Sequence, residues 1–236
     1  MIMFARSITL AAAALCLAGA ATAGPITPTF TNFGTLGAAT FGGSGIPNNA
    51  VAITTLAGVT GAPNALTLGL TAHQRFIGPA LPSAAGIFTA GTGVSAIAPS
   101  PADPYATWNF AFYIAGANTA LYSFNLFYDF DPAAATDESD HGRVVIPLGA
   151  VTTTAEDSWN LGMNFLDGGA TQPLFASFDP NVAGQYTFAL VAYNANGGEA
   201  ARSAIVVNVN GVPEPTSLAL AGLALAGLGF IGRRKA

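Results

Sequence analysis

Hydrophobic side chains return at every second position in two stretches near the middle of the chain, residues 108–114 and residues 121–129. A period of two is typical of a β-strand that buries one face. In the second stretch one predicted face consists of Tyr122, Phe124, Leu126 and Tyr128. Both stretches are therefore predicted to be strands of a sheet that covers a hydrophobic core.

The same pattern predicts more strands on either side of these two. They are residues 51–56, 65–72, 144–146, 159–165, 185–194 and 204–210. Asn196 and Gly198 lie between the last two and favour a turn. Residues 24–48 and 78–104 are less patterned, and we expect long loops or edge strands there. No internal segment of ten residues has helical periodicity. Short strands at this spacing indicate a sandwich or a barrel, and we expect an all-β fold, a single immunoglobulin-like or jelly-roll-like β-sandwich.

Tyr186 stands at the start of the penultimate predicted strand, two residues after Gly184. A tyrosine at this place resembles the tyrosine corner of immunoglobulin-like sandwiches, in which the hydroxyl bonds to upstream backbone. The alternative is that Tyr186 is one more core aromatic. The sequence leaves both interpretations open.

The first 23 residues have the three parts of a secretory signal peptide. Arg6 supplies the positive charge, residues 7–18 form a short apolar run, and Ala21 and Ala23 make a small-x-small cleavage site for signal peptidase. The mature chain is therefore expected to start at Gly24. The alternative, an uncleaved anchor, is disfavoured because the apolar run is short.

The other end of the chain joins three features in a fixed order. A Pro-Glu-Pro sequence, Pro213 to Pro215, precedes 17 residues without a charge, and Arg233, Arg234 and Lys235 follow. As a helix those 17 residues would span about 25 Å, slightly less than the ~30 Å hydrocarbon core of a bilayer. The segment has no polar face, so a core helix is disfavoured. We expect a transmembrane helix with its basic end in the cytoplasm.

This arrangement resembles the PEP-CTERM sorting signal of Gram-negative bacteria. Pro213, Glu214 and Pro215 match its motif, and Arg233, Arg234 and Lys235 match its basic tail. The resemblance implies recognition by exosortase, a membrane cysteine transpeptidase, and an exported protein associated with exopolysaccharide or biofilm. It covers about 25 residues and says nothing about the domain that precedes it. Whether the helix is removed or kept is left open.

Between the two ends lies one predicted domain, residues 24–211, with residues 1–23 and 212–236 as its signal peptide and sorting signal. It holds three arginines and eleven carboxylates, a net charge of −8, whereas the whole chain has −5. An acidic surface disfavours nucleic acid and anionic lipid as partners. The one cysteine, Cys16, precedes the cleavage site, so the domain has no disulfide.

The one acidic cluster suggests a candidate calcium site. Its predicted ligands are Asp129, Asp131, Asp137 and Asp140. Their spacing is partly that of a calcium loop, but Ala134 stands where a glycine is required and the flanks are strands, so this is not an EF-hand. The preferred alternative is a solvated acidic loop.

The sequence contains little that matches a catalytic motif. His73 and His141 belong to no pattern that would hold zinc, and Gly42 to Gly45 lead into Ile46 rather than completing a nucleophile elbow. We expect His73 to be a surface or satisfied polar residue rather than a base. A glycosidase would need two carboxylates, and the spacing of Asp129 and Asp131 is too common to indicate one.

The sequence therefore predicts a non-enzymatic, exported protein of the cell surface or extracellular matrix, without a catalytic residue. Its expected partners are signal peptidase, exosortase and exopolysaccharide, with transient insertion in the inner membrane and no nucleic acid. The alternatives are a carbohydrate-binding module and a polysaccharide hydrolase. Sugar binding would use an exposed row among the aromatic residues Trp108, Tyr113, Tyr122, Tyr128, Trp159 and Tyr193.

Overall fold

Two β-sheets face each other across a hydrophobic core in the computed structural model. The structure describes residues 24–57, 66–75, 80–96, 104–117, 119–148, 153–166 and 178–211. The expectations for the signal peptide, for Pro213 to Pro215 and for the basic tail lie outside these ranges. Within them no helix is both long and apolar enough to cross a membrane. The all-β prediction is confirmed.

The first sheet has five antiparallel strands in the order β1-β2-β3-β6-β9. They are β1 (Asn32–Gly34), β2 (Val51–Leu56), β3 (Leu66–Gln74), β6 (Trp108–Ala115) and β9 (Thr154–Trp159). Short β1 and β9 form its edges.

The second sheet has six strands in the order β4-β5-β11-β10-β7-β8. They are β4 (Ser83–Ala84), β5 (Ile87–Gly91), β7 (Ser123–Tyr128), β8 (Gly142–Ile146), β10 (Gly184–Tyr193) and β11 (Glu199–Asn210). β5 runs parallel to β11, and the other neighbours are antiparallel. The described residues also include two short 3-10 turns, Thr119–Leu121 and Glu138–Asp140.

The core contains the side chains that the period-two pattern assigned to one face. Phe124, Leu126 and Tyr128 of β7 are fully buried, whereas Ser123 is exposed. Across the sandwich Phe110 of β6 stacks on a phenylalanine of β10, Phe188. Large aromatic rings provide this core with much of its buried apolar area, in a domain that has no disulfide.

Three strand predictions need correction. The stretch 159–165 is not a strand: β9 ends at Trp159, and the chain turns because the Asn160 amide bonds to the backbone oxygens of Ala106 and Trp108. β11 begins at Glu199, five residues earlier than predicted, because the turn bonds close between Asn194 and Gly198. The third correction concerns β5, which lies within residues 78–104. The pattern there predicted long loops or edge strands, but β5 is an inner strand between β4 and β11.

Tyr186 satisfies both interpretations that the sequence left open. Its ring is buried in the core, 1% exposed, and packs against Trp108 and Phe178. Its hydroxyl donates to the backbone oxygen of Val182, four residues upstream, at 3.2 Å. The residue therefore fastens the turn before β10 to the core, as a tyrosine corner does.

Candidate functional site

The outer face of the five-stranded sheet carries polar side chains on three neighbouring strands. His73 of β3 lies opposite Asn109 of β6, and Ser158 of β9 lies diagonally across from Asn109. His73 and Asn109 are buried, with 3% and 6% of their surface exposed. β3 extends through Gln74, so His73 lies within a strand and not beyond its end.

The orientation of the His73 ring follows from its two hydrogen bonds. Nδ1 lies 2.8 Å from the carbonyl oxygen of Gln74, and Nε2 lies 2.8 Å from Oγ of Ser158. A carbonyl oxygen only accepts, so Nδ1 carries the hydrogen and Nε2 accepts the Ser158 hydroxyl. Burial lowers the pKa of His73, against the weaker opposing effect of the Gln74 bond. The ring is therefore neutral at physiological pH, and of the two alternatives that the sequence left open it is the satisfied residue and not the surface one.

The hydrogen-bond chain continues away from His73. The amide of Asn109 donates to Ser158 Oγ at 3.0 Å, and its oxygen accepts from Asn160 at 2.8 Å. Asn160 is fully buried and also accepts from the backbone of Ala106. A connected and satisfied polar chain of this kind holds each member in one orientation.

A glycine-rich loop, residues 42–47, stands beside these polar residues. It follows Thr40 and Phe41, which bind the carboxylate of Glu156 on β9 through three hydrogen bonds. The Thr40 amide, the Thr40 hydroxyl and the Phe41 amide donate at 2.8, 2.7 and 2.6 Å. Phe41 itself is buried on the outer face of the sheet, beside Val51 and Tyr113. The start of the loop is thus fixed by a charged acceptor and by an apolar anchor.

The loop and the sheet enclose a cleft of about 430 Å³. Its floor is formed by His73, Asn109 and Ser158, and one wall by the loop 42–47. Arg75 and Asp157 bring two opposite charges to the same cleft. The Arg75 guanidinium lies over the Tyr105 ring, 4.6 Å from its centre. This volume is within the usual range of small-ligand sites.

The Ser158 and His73 pair has part of the geometry of an activated nucleophile, a hydroxyl that donates to a neutral base. Acyl transfer also requires donors for an oxyanion. The backbone amide of Ser158 donates to Asp157 Oδ1 at 2.7 Å, so it is engaged elsewhere. What the cleft presents most clearly is a set of fixed polar groups suited to recognition.

The carboxylates of the acidic cluster are bound to separate partners by local hydrogen bonds. Asp131 accepts from the amide of Ala133 and Asp137 from the amide of Ser139, at 2.9 Å each, and Asp140 belongs to the second 3-10 turn. The remaining member, Asp129, is 1% exposed. In the part of the chain that the structure describes, no three His, Cys, Asp or Glu residues are arranged to hold a metal ion. The calcium site thus gains no support from the geometry.

Asp129 belongs instead to a buried polar group with His141 and Thr187. Nε2 of His141 lies 2.6 Å from the Thr187 hydroxyl and 3.7 Å from Asp129 Oδ2. Burial raises the pKa of Asp129 to about 6, although His141 opposes the change. The sequence singled out Asp129 as a calcium ligand, but its observed environment is a protein interior.

The six aromatic residues considered for sugar stacking are buried or half-buried. Trp108, Tyr113 and Tyr128 are 2%, 7% and 0% exposed, and Tyr122, Trp159 and Tyr193 pack at the margins of the hydrophobic clusters. They do not present an open stacking row. Sequence reasoning missed Ser158 and Asp157, which only the fold brings to the cleft, and Glu156, which holds the residues before the loop. The period-two alternation placed Asn109 on the face of β6 that points away from the core aromatic residues. This was the one indication of the cleft in the sequence.

The C-terminal segment was compared with protein-family models. Residues 211–235 match the model of the PEP-CTERM protein-sorting motif. The chain carries this motif. The match includes Pro213 to Pro215 and the basic tail from Arg233 to Lys235, so the resemblance seen in the sequence is confirmed. No curated protein and no solved structure matches the chain.

The PEP-CTERM motif follows the folded domain without a spacer. β11 is paired with β10 through Val209 and with β5 through Asn210. The amide of Thr92 then donates to the oxygen of Asn210 at 3.0 Å. The matched PEP-CTERM residues begin at Gly211, the next position.

Proposed function

We propose that this protein is an exported, non-enzymatic component of the cell surface or extracellular matrix, sorted by exosortase. The observation that carries the proposal is the match of residues 211–235 to the PEP-CTERM protein-sorting motif. The signal peptide predicted over residues 1–23 supplies the export step, and signal peptidase would remove it after Ala23. Association with exopolysaccharide is part of the same proposal.

The non-enzymatic part is supported by the state of the candidate catalytic groups. Ser158 has a base in His73, but its own amide is bound to Asp157. The carboxylate pair considered for glycoside hydrolysis is also unsuitable, because Asp129 is buried and Asp131 is bound to the backbone of its own loop. A polysaccharide hydrolase is therefore disfavoured.

The strand order supports an immunoglobulin-like form of the sandwich. Strands β7, β10 and β11 adjoin as the C, F and G strands do, with β8 beyond β7, while β6 and β9 adjoin as B and E do. The tyrosine corner lies at the start of β10, the strand that corresponds to F. Strands β1, β2 and β3 extend the sheet that contains β6.

The experiment is expression in one host with exosortase and one without, followed by intact mass and cell fractionation. We expect a species that begins at Gly24, lacks everything after about Pro215 and lies outside the cell, only where exosortase is present. If a species that retains Arg233 to Ala236 stays in the inner membrane of both hosts, the segment is a plain anchor and the proposal is overturned.

The second candidate, a carbohydrate-binding module, is favoured by one specific observation. The cleft beside His73 is about 430 Å³ in volume, and its floor is a fixed chain of polar groups. Sugar ligands need such directed hydrogen bonds to their hydroxyl groups.

A further inference from the structure

The cleft between the loop 42–47 and the polar floor has a wall that is fixed in advance. Glu156 holds Thr40 and Phe41 by three hydrogen bonds, and Phe41 is fully buried. Side chains do not narrow the space along much of this wall, because residues 42, 43 and 45 are glycines. At Gly45, φ is +84° and no heavy atom lies within 4 Å of the place that a Cβ would occupy. A preformed wall lowers the entropy cost of binding.

The floor is polar at a place where packing alone would favour apolar residues. Elsewhere on the same face Ala39 and Phe41, which precede the loop, pack with Val51, Ile53, Ala111 and Tyr113 in an apolar cluster. At the cleft the side chains on this face are instead His73, Asn109 and Ser158. Two hydrogen bonds of 2.8 and 3.0 Å join these three side chains. A buried polar chain contributes less stability than an apolar core of the same volume. The cleft therefore has a floor of polar groups that are held in one orientation.

The charges of the cleft define the class of ligand. Arg75 contributes one positive charge and Asp157 one negative charge, and the His73 ring is neutral because burial lowers its pKa. Among the described residues that line the cleft the charges are therefore balanced, which favours neither an anion nor a cation. Asp157 offers an acceptor, and the Gln74 side-chain amide and the Ser44 hydroxyl each offer both a donor and an acceptor. Ile46 and Met163 add apolar surface to the same cleft.

We propose that this cleft binds one or two residues of a neutral, polyhydroxylated saccharide. Hydroxyl groups that act as both donor and acceptor match a lining of mixed donors and acceptors, and the C–H face of a sugar ring suits Ile46 and Met163. The inference rests on the second candidate function above and gives it a location. It does not depend on the sorting step, which acts at the other end of the sequence.

The test uses the full-length protein in detergent on an array of neutral and acidic polysaccharides. Ser44 is exposed and lines the cleft, so Ser44→Tyr would fill the site without touching the polar floor. Ser123→Tyr is the matched control, because Ser123 is exposed on the other sheet and lies outside the cleft. We expect wild type and Ser123→Tyr to bind neutral polysaccharides alike, and Ser44→Tyr to bind at least tenfold more weakly.

The proposal is overturned if no neutral polysaccharide binds, if only acidic ones bind, or if Ser44→Tyr binds as wild type does. Thermal unfolding of each variant shows whether Ser44→Tyr remains folded. If it does not, Asp157→Asn takes its place, since the new amide oxygen still accepts from the Ser158 amide while the charge is lost. Mass and fractionation report sorting separately, so failure to bind sugar leaves the exosortase proposal intact.

Discussion

The carboxylate of Asp129 lies 3.7 Å from Nε2 of His141 inside the protein, with the two side chains 1% and 0% exposed. The Thr187 hydroxyl lies between them, 2.6 Å from His141 Nε2 and 3.4 Å from Asp129 Oδ2. On the far side of the ring, Nδ1 is 2.9 Å from the backbone oxygen of Asp137. The cluster therefore links β7, β10 and the turn that precedes β8.

This cluster predicts a stability that falls as the pH rises between about 4 and 6. Burial raises the pKa of Asp129 from 3.8 to about 6, so the folded state binds a proton more tightly than the unfolded state. Stability is greatest below pH 4 for this group, and about 3 kcal/mol is lost by pH 7. Urea unfolding at a series of pH values from 4 to 7 measures this loss of unfolding free energy. Asp129→Asn should flatten the profile, whereas Asp131→Asn should not.

A second prediction concerns the tyrosine corner. Tyr186→Phe removes the hydrogen bond to the Val182 oxygen and should cost about 1 kcal/mol of unfolding free energy. Burial and the nearby carboxylates of Asp129 and Asp179 raise the pKa of Tyr186 to about 12. The stability that protonated Tyr186 contributes to the fold is therefore lost as the pH rises from about 10 to 12. Ultraviolet titration should show a tyrosine with a pKa of about 12 that Tyr186→Phe removes and Tyr122→Phe leaves in place.

The stack of Phe110 on Phe188 predicts a large effect of truncation. The two rings join the sheets with centroids 4.5 Å apart, and both residues are fully buried. Phe188→Ala should lower the free energy of unfolding by about 3 to 5 kcal/mol, measured by chemical denaturation. Leu121→Ala removes a side chain that is 62% exposed and should change it by less than about 0.5 kcal/mol. Equal effects would mean that the sheets do not pack through these rings.

The Glu156 carboxylate predicts how firmly the cleft wall is held. Glu156→Gln weakens the charged acceptor for Thr40 and Phe41, so the loop should open more often, at a cost of about 1 to 2 kcal/mol. Hydrogen exchange of the amides from 40 to 46 should therefore accelerate about tenfold or more. Glu199→Gln, at the surface of the other sheet, is the control. Unchanged exchange in the loop would contradict the anchoring role.

Local alternation was sufficient to predict the strands with one clearly buried face. Residues 121–129 show this well, because Phe124, Leu126 and Tyr128 all point into the core. The same pattern failed after Trp159, where the decisive contact is made by Asn160 with backbone about 50 residues earlier. Apolar periodicity does not register a polar side chain that ends a strand by bonding to distant backbone.

The cleft was hidden from sequence reasoning for a related reason. His73, Asn109 and Ser158 are separated by 36 and 49 residues, and antiparallel pairing of β3, β6 and β9 alone brings them together. The loop opposite them is held by Glu156, which gave no signal in the sequence. The sorting motif is the contrary case. It is contiguous, and its recognition depends on the order of local features, so the sequence sufficed.

The clamping of β11 through Asn210 determines how the domain is presented before processing. Only two residues, Gly211 and Val212, separate the last paired position from Pro213, a reach of about 10 Å. An enzyme that reads the motif would therefore work within about 10 Å of the end of β11. The turn at Asn194 to Gly198 lies at the far end of the 12-residue strand, about 40 Å away. The hairpin tip and the start of the motif therefore lie at opposite ends of β11.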